Sequence, residues 1–336
     1  MKKILFVGDM HVVPEEIEEC QKLLDYTLAL AIKNQAVVCF LGDQHHTHSI
    51  VRVEALRFWR KNFMAFKEKN IEVIALVGNH DLSNANSLEE HAMLAYEDLV
   101  CVVDSPKIIP AVNKHFLFMP YYPNNQDFIE IVNRKFAENT HTLICHQTFN
   151  GAMYERGFYA KDGIDVASIP QKTIISGHIH CYSRTDKLLY VGSPRWRTLS
   201  DANIDKNLFL ISCSDDGVIQ ETERFSTEHV CRKILFLKEE DLSSQPNLNS
   251  EKQKIYVTIE DNKEELIRKK VFYSNLGFLV RGVIKDLKKE VVVRESDGIK
   301  RAFQKYFEYA TPSLKTNPQA LSELVRERIF GDFYAN

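Results

Sequence analysis

The chain has 336 residues, 44% of them apolar and 26% charged, with a formal net charge of −3. At roughly 150 residues per domain that is one large domain and a smaller one, with ample material for a core. These fractions exclude a disordered chain, no apolar run approaches the ~20 residues that span a bilayer, and the near-zero charge excludes holding a polyanion by bulk electrostatics. The expectation is a soluble, cytoplasmic protein with no membrane association. Residues 1–8 (MKKILFVG) run straight into an aspartate and a histidine without a small-residue cleavage site, so they predict a first strand rather than a leader. The seven cysteines are odd in number, irregularly spaced and free of any C-x-x-C pair, which excludes a disulfide framework and a zinc knuckle.

In chain order, short β-branched runs alternate with amphipathic helical stretches, the pattern of an α/β domain with buried strands. The first strands are Lys3–Val7, Val37–Leu41 and Val73–Val77. Between them lie helices over Pro14–Ile32, which opens on a proline and two glutamates, and Val51–Lys69. Leu143–Cys145, Thr173–Ser176, Leu188–Val191 and Leu208–Ser212 follow with less helix between them, so the second half of this domain, 1–230, looks more purely β. Around 238–254 the chain turns polar, which places a linker there. Ile255–Ile259, Lys263–Val271 and Phe278–Ile284 then predict a compact β-α-β unit spanning 255–293. From 297 to 336 the pattern is helical in two segments, Ile299–Tyr309 and Pro318–Ile329. Residues 231–336 hold 20 Lys+Arg against 16 Asp+Glu, and the first 230 hold 23 against 30, so the acidic balance sits in the larger domain.

Five times an apolar strand runs into small and metal-binding residues: ILFVGDMH (4–11), VVCFLGDQHH (37–46), VIALVGNHD (73–81), TLICHQ (142–147) and TIISGHIH (173–180). One Gly-Asp or lone histidine after a strand is ordinarily a turn or a satisfied polar group, but five in the same register are not. In open α/β sheets, sites form beyond the carboxyl ends of the strands, which puts all five on one rim. The donors are carboxylate, imidazole and one amide, suiting manganese or iron better than a structural zinc. Asp9, His11, Asp43, Asn79, His146, His178 and His180 are too many for one ion with an open position. Two ions with four protein ligands each need one shared donor; only a carboxylate bridges readily, and Asp43 lies on the central strand of the first three. A pair of ions about 3.5–4 Å apart suits phosphoester hydrolysis, because it activates water and stabilises phosphoryl charge. His80 remains over: it could protonate the leaving alkoxide, with Asp81 fixing its tautomer.

The order D-x-H, G-D, G-N-H-D, lone H and G-H-x-H resembles the calcineurin-like metallophosphoesterases across residues 1 to about 225. That resemblance implies a four-layer α-β-β-α sandwich of mixed sheets. It implies one ion on Asp9, His11, Asp43 and His180, a second on Asp43, Asn79, His146 and His178, and His80 as the acid. Among the family's branches, LLYVGSPRWRTLSD (188–201), His46 placed three residues after Asp43 to support the catalytic histidine, and the order of domains resemble the SbcD-type recombination nucleases. The short length and NGAMYERGFYAKDG (150–163) resemble most the nuclease subunits of T-even-like phages. The resemblance implies a manganese-dependent DNA nuclease (magnesium or iron being the other candidate ions), exonuclease on duplex ends and endonuclease on single strands. It would serve DNA recombination, repair or replication, in the host cytoplasm if phage-encoded. It also implies a small α+β capping domain, a homodimer through helices around 50–66 and 84–97, and C-terminal helices that bind an SbcC-type coiled-coil ATPase. The alternatives are a phosphodiesterase for small nucleotides and a non-catalytic subunit that clamps DNA ends.

One departure is that Gln44 and His45 stand where many relatives carry an aliphatic-aromatic pair; His45 and His48 are expected to be solvated loop histidines. Cys145 is expected in the strand core, facing away from the ions. Arg195 and Arg197 could set guanidiniums on phosphates and Trp196 an indole on a base, with Tyr121, Tyr122, Tyr154, Arg156 and Tyr159 as further loop candidates. Arg268, Lys269, Lys270 and Arg281 of the capping unit could line a duplex. Apolar residues at helical spacing (Phe303, Tyr306 and Phe307, then Leu321, Leu324, Val325 and Ile329) predict a docking face for a partner helix.

Overall fold

A computed structural model describes residues 2–284 apart from 85–87, 137, 156–157, 246–247 and 251. The C-terminal helical segment with its whole docking face and the end of the capping unit lie outside the described residues, as does Arg156. Among the described residues no helix is long and apolar enough to cross a membrane.

Two six-stranded sheets carry the larger unit. The elements of the first are β1 (Lys2–Val7), α1 (Ile17–Asn34), β2 (Val37–Phe40), α2 (Val53–Glu68), β3 (Val73–Leu76) and β4 (Cys101–Val103). The second takes β5 (Lys107–Ile109), β6 (Asn113–Phe118), α3 (Asn125–Phe136) and β7 (Thr142–Cys145), then, after the hairpin β8 (Met153–Glu155) and β9 (Phe158–Tyr159), β10 (Thr173–Ser176), β11 (Ser183–Arg184) and β12 (Leu188–Tyr190). β13 (Asn207–Cys213) and β14 (Ile219–Ser226) return to the first sheet, giving orders β14-β13-β1-β2-β3-β4 and β11-β12-β10-β7-β6-β5. The strands that end at the site pair in parallel, β1-β2-β3-β4 in one sheet and β12-β10-β7-β6 in the other.

Strand alternation builds the layers. Ile4 and Phe6 face one core while Leu5 and Val7 face another; Cys39 and Leu41 alternate in the same way with Val38 and Phe40. The shared core lies between the sheets, where Phe116, Ile144, Ile175 and Leu189 meet the first set. The outer face of the first sheet is covered by Leu23 and Leu24 of α1 and Trp59 and Phe63 of α2. The outer face of the second packs Leu143, Cys145 and Ile174 on Phe128 and Val132 of α3. The result is the expected α-β-β-α sandwich, and Cys145 faces the outer core, away from the rim. Each fully buried Leu, Ile or Phe contributes about 1.5–3 kcal/mol of burial free energy.

One helix differs from expectation at its start. The helix expected from Pro14 is a 3-10 turn, Pro14–Glu16, before α1 begins at Ile17. The break falls at Glu16, whose carboxylate accepts from Arg195. α3 and β4–β6 come from a stretch whose period is mixed between helix and strand.

The chain divides into units within a strand rather than at 238–254. After β15 (Lys233–Lys238), the strand β16 (Gln253–Asp261) crosses the division between Val257 and Thr258, and residues 275–279 return to the larger unit. The second unit, described to residue 284, holds the end of β16, the body of α4 (Lys263–Asn275) and most of β17 (Leu279–Ile284), a β-α-β piece as expected. Within it Lys269 pairs with Asp261 at 3.0 Å, so that cation is already partnered.

Candidate metal centre and active site

The expected donors all stand just beyond the C-terminal ends of parallel strands: Asp9 and His11 after β1, Asp43 after β2, Asn79 after β3, His146 after β7, His178 and His180 after β10. Two glycines let the turns close over one another. A Cβ on Gly42, whose φ is +107°, would lie 2.3 Å from His146 Nδ1, and one on Gly78 would lie 2.2 Å from Asp43 Oδ1. His11, Asp43 and His178 themselves hold left-handed φ values of 44°, 54° and 74°. Such conformations cost of order 1 kcal/mol each for residues with a Cβ and persist where packing over-determines them.

Two groups result. His11 Nε2 faces His180 Nε2 at 3.0 Å, with Asp9 beside them. His146 Nε2 lies 3.2 Å from His178 Nδ1, and Asn79 Oδ1 lies 3.0 and 2.8 Å from those two nitrogens. Asp43 Oδ2 stands between the groups, 3.5 Å from His11 Nε2 and 3.4 Å from His146 Nε2, the position a bridging carboxylate needs.

The cluster suits cations. Asp9 Oδ2 is buried without a hydrogen-bond partner among the described residues, which is costly unless a positive charge meets it. His146 donates from Nδ1 to the Leu41 carbonyl at 2.6 Å, leaving Nε2 as the ring's other, ligand-capable nitrogen, aimed at Asp43 and Asn79. Burial alone would lower the His146 pKa, but Asp43 and Asp9 outweigh it and raise it to about 9. That proton occupies the place for which a cation competes. Burial, then the neighbouring His146, lowers His178 to about 3, so its ring is neutral. Burial pushes Asp43 up, yet the surrounding histidines, His146 first, hold it well below the carboxylate range. The His and Asp side chains thus form groups that could hold metal ions, with carboxylate, imidazole and amide donors and no thiolate.

His80 borders the cluster, edge-on to His11 with ring centroids 4.6 Å apart. Its N–H donates to Asp43 Oδ1 at 2.8 Å and its Nδ1 donates to the His46 carbonyl at 2.6 Å. The expectation that Asp81 fixes the His80 tautomer is therefore corrected. The Asp81 carboxylate accepts instead from the backbone N–H groups of Gly78 (3.0 Å), His45 (2.9 Å) and Gln44 (3.4 Å), tying the turns after β2 and β3 together. His46 does meet His80: the rings stack at 5.6 Å, and its own Nδ1 accepts a hydrogen bond from Arg197 Nη1 at 3.2 Å. Burial, reinforced by Arg197, lowers His46 to about 4.

Other expectations fail on burial. His45 is 1% exposed, and its Nε2 lies 3.2 Å from the Tyr96 hydroxyl, so it is no loop histidine. His48 is exposed but engaged, with Nδ1 donating to the Asn79 carbonyl at 2.9 Å and its ring stacked on His80 at 4.4 Å. Arg195 is fully buried, donating to the Met10 and His11 carbonyls at 2.9 Å each and to Glu16 at 2.7 Å, and is not a phosphate contact. Trp196 is buried with its N–H on the Ile204 carbonyl, and cannot stack on a base. Of the three, Arg197 alone reaches the site. Tyr154 is 45% exposed on β8.

The sequence reading missed Lys206 and Asp201. Buried Lys206 donates to Asp201 at 2.6 Å, Ser193 at 2.7 Å and the His180 carbonyl at 3.0 Å, so it holds the turn that carries His180. Asp201 closes the local turn 198–201, accepting from the Arg197 and Thr198 N–H groups at 3.0 Å each, but nothing near Lys206 in the sequence announces the His180 carbonyl.

The calcineurin-like phosphoesterase family matches residues 2–182, a stretch containing Asp9 through His180 and so every donor of the cluster. The chain belongs to this family. Calcineurin-like phosphoesterases are metal-dependent, and the paired groups here accord with a dinuclear centre. A protein of Invertebrate iridescent virus 6 designated a phosphoesterase, 244L, is 28% identical over 223 residues, 64% of this chain and 78% of that protein. Exonuclease subunit 1 of Enterobacteria phage T4 is 22% identical over 239 residues, 66% of each chain.

Proposed function

We propose that this phosphoesterase is a DNA nuclease with a dinuclear centre, manganese being the expected metal. One ion would sit on Asp9, His11, Asp43 and His180, the other on Asp43, Asn79, His146 and His178. Bound there, two divalent cations supply Lewis-acid polarisation of the phosphoryl group and lower the pKa of a water.

The chain's own groups do the rest. His80, pinned through Nδ1 to the His46 carbonyl, presents Nε2 to the cluster and gives a proton to the leaving oxygen. The His48 and His46 rings, stacked on it at 4.4 and 5.6 Å, limit its rotation. Arg197, 12% exposed on its side chain, brings a fixed positive charge to the same wall and favours an anionic phosphodiester there. The observation that carries the reading is His80 held edge-on to His11 at 4.6 Å while its Nδ1 is taken up by the His46 carbonyl.

The nuclease reading is supported by the similarity to a phage exonuclease subunit, and with it come a homodimer and a coiled-coil ATPase partner of the SbcC type as proposals. The test is His80→Asn: cleavage of linear duplex and single-stranded DNA with manganese should fall about 10²–10⁴-fold while calorimetric metal binding stays. Unimpaired cleavage would remove His80 from the mechanism, and turnover of small nucleotide diesters far above that of DNA would replace the nuclease reading.

A further inference from the structure

Beside the donor cluster lies a cavity of about 440 Å³, lined by Tyr121, Tyr154, Tyr159, Gln147 and Lys161 among others. That volume falls within the roughly 300–1,000 Å³ typical of small-ligand sites. It abuts the cluster through Tyr121. Tyr121 stacks on the His178 ring at 5.7 Å and 25°, and Gln147 follows His146 in the chain.

The opposite wall is the β8–β9 hairpin. Its base is closed by backbone bonds, Asn150 N–H to the Ile164 carbonyl, Gly151 N–H to the Ala160 carbonyl and Ala160 N–H to the Ala152 carbonyl, each 2.8–2.9 Å long. Cys181 Sγ also donates to the Tyr154 carbonyl at 3.2 Å, anchoring β8 near the turn that carries the donors. Tyr154 and Tyr159 are therefore presented by a tied hairpin, and they are 45% and 58% exposed. Exposed aromatic rings on a held scaffold cost burial free energy that folding does not recover, and they bind flat partners at low entropic cost. Lys161 and Asp162 bring one charge of each sign, so ring stacking is the main attraction the cavity offers.

We infer that this cavity is a subsite for one unpaired nucleobase of the substrate strand, stacked on the tyrosines next to the phosphodiester at the donor cluster. The inference rests on the nuclease reading for its substrate class and goes beyond it by naming what the site recognises. A base inside a duplex has both faces covered by its neighbours, so only a single-stranded, frayed or flipped base can offer a face to a ring. Every base has such a face, so the subsite demands an unpaired base without demanding a sequence.

The test uses full-length protein and oligothymidylate single strands carrying 2-aminopurine at successive positions, titrated at constant salt. Fluorescence quenching is expected at one or two positions only. Tyr154→Ala and Tyr159→Ala should abolish it and weaken binding about 5- to 150-fold, the range that base–aromatic stacking spans. Tyr159→Phe should keep it, and so should Phe158→Ala, which removes an exposed ring outside the cavity lining. Removing the base at the quenched position should weaken wild-type binding and leave Tyr159→Ala unaffected. Quenching spread evenly along the strand, or surviving both alanine substitutions, overturns the subsite. A chain that quenches at one position but cuts no DNA overturns the hydrolytic reading and leaves the subsite standing. A chain that cuts DNA without position-specific quenching overturns the subsite alone.

Discussion

Two buried polar regions lie side by side in the larger unit. In the segment 193–206, every buried charge is matched: Arg195 meets Glu16 and two carbonyls, and Lys206 meets Asp201, Ser193 and the His180 carbonyl. On the rim, nitrogens face nitrogens at 3.0 and 3.2 Å, and Asp9 Oδ2 has no partner among the described residues. Burial and polarity are common to both; saturation is not. A saturated cluster braces the fold, whereas an unsaturated one held by strained backbone is poised to take a ligand.

That contrast can be broken most decisively by Asp43→Ala, which removes the oxygen between the two groups. Cleavage should fall by at least the 10²–10⁴-fold expected of His80→Asn, and calorimetry should show metal binding reduced, whereas undiminished binding would mean that Asp43 does not bridge. Next in size is the bracing cluster. Asp201→Ala strands the buried Lys206 cation and should cost about 3–5 kcal/mol in denaturant unfolding, while Asp9→Asn in chelator should be no less stable than the parent. An equal loss in both would erase the distinction. Smaller again is the effect of metal: manganese should raise the melting temperature of the parent chain, chelator should reverse it and abolish cleavage, and Asp9→Ala should blunt the rise.

The smallest effect concerns pH. Burial raises the Glu16 carboxyl, but Arg195 and then Arg197 bring it net below its ordinary 4.5. A carboxyl depressed in the folded state contributes stability that is complete above the unfolded value and fades as pH falls through the folded one. In chelator, Glu16→Gln should therefore lower the melting temperature at pH 6–7 and show a shallower acid limb below about pH 4.5 than the parent. Parallel limbs would mean that Glu16 does not brace the turn as a carboxylate.

Much of the fold was legible because it is local. β10 falls where its β-branched run predicted, and β1, β2 and β3 lie within a residue of their runs at each end. The donors were legible for the same reason, since a strand followed by Gly-Asp or Gly-His needs no distant partner to be noticed. Asp81 was misread because adjacency to His80 suggested a contact, while its carboxylate reaches back to the turn after β2. Arg195 and Trp196 were misread because an arginine or tryptophan in a loop looks the same whether it meets solvent or a half-buried glutamate 179 residues away. His45 was taken for a solvated histidine because nothing nearby announces Tyr96.

The sequence by itself determined the identity and order of the candidate donors, because strand periodicity and glycine turns set them at one end of each strand. Only the tertiary structure decided which polar residues are saturated and which are left open. Saturation depends on where two sheets converge, so Arg195 and Lys206 found partners for every charge, while Asp9 met the His178 N–H through Oδ1 and kept Oδ2 open among the described residues.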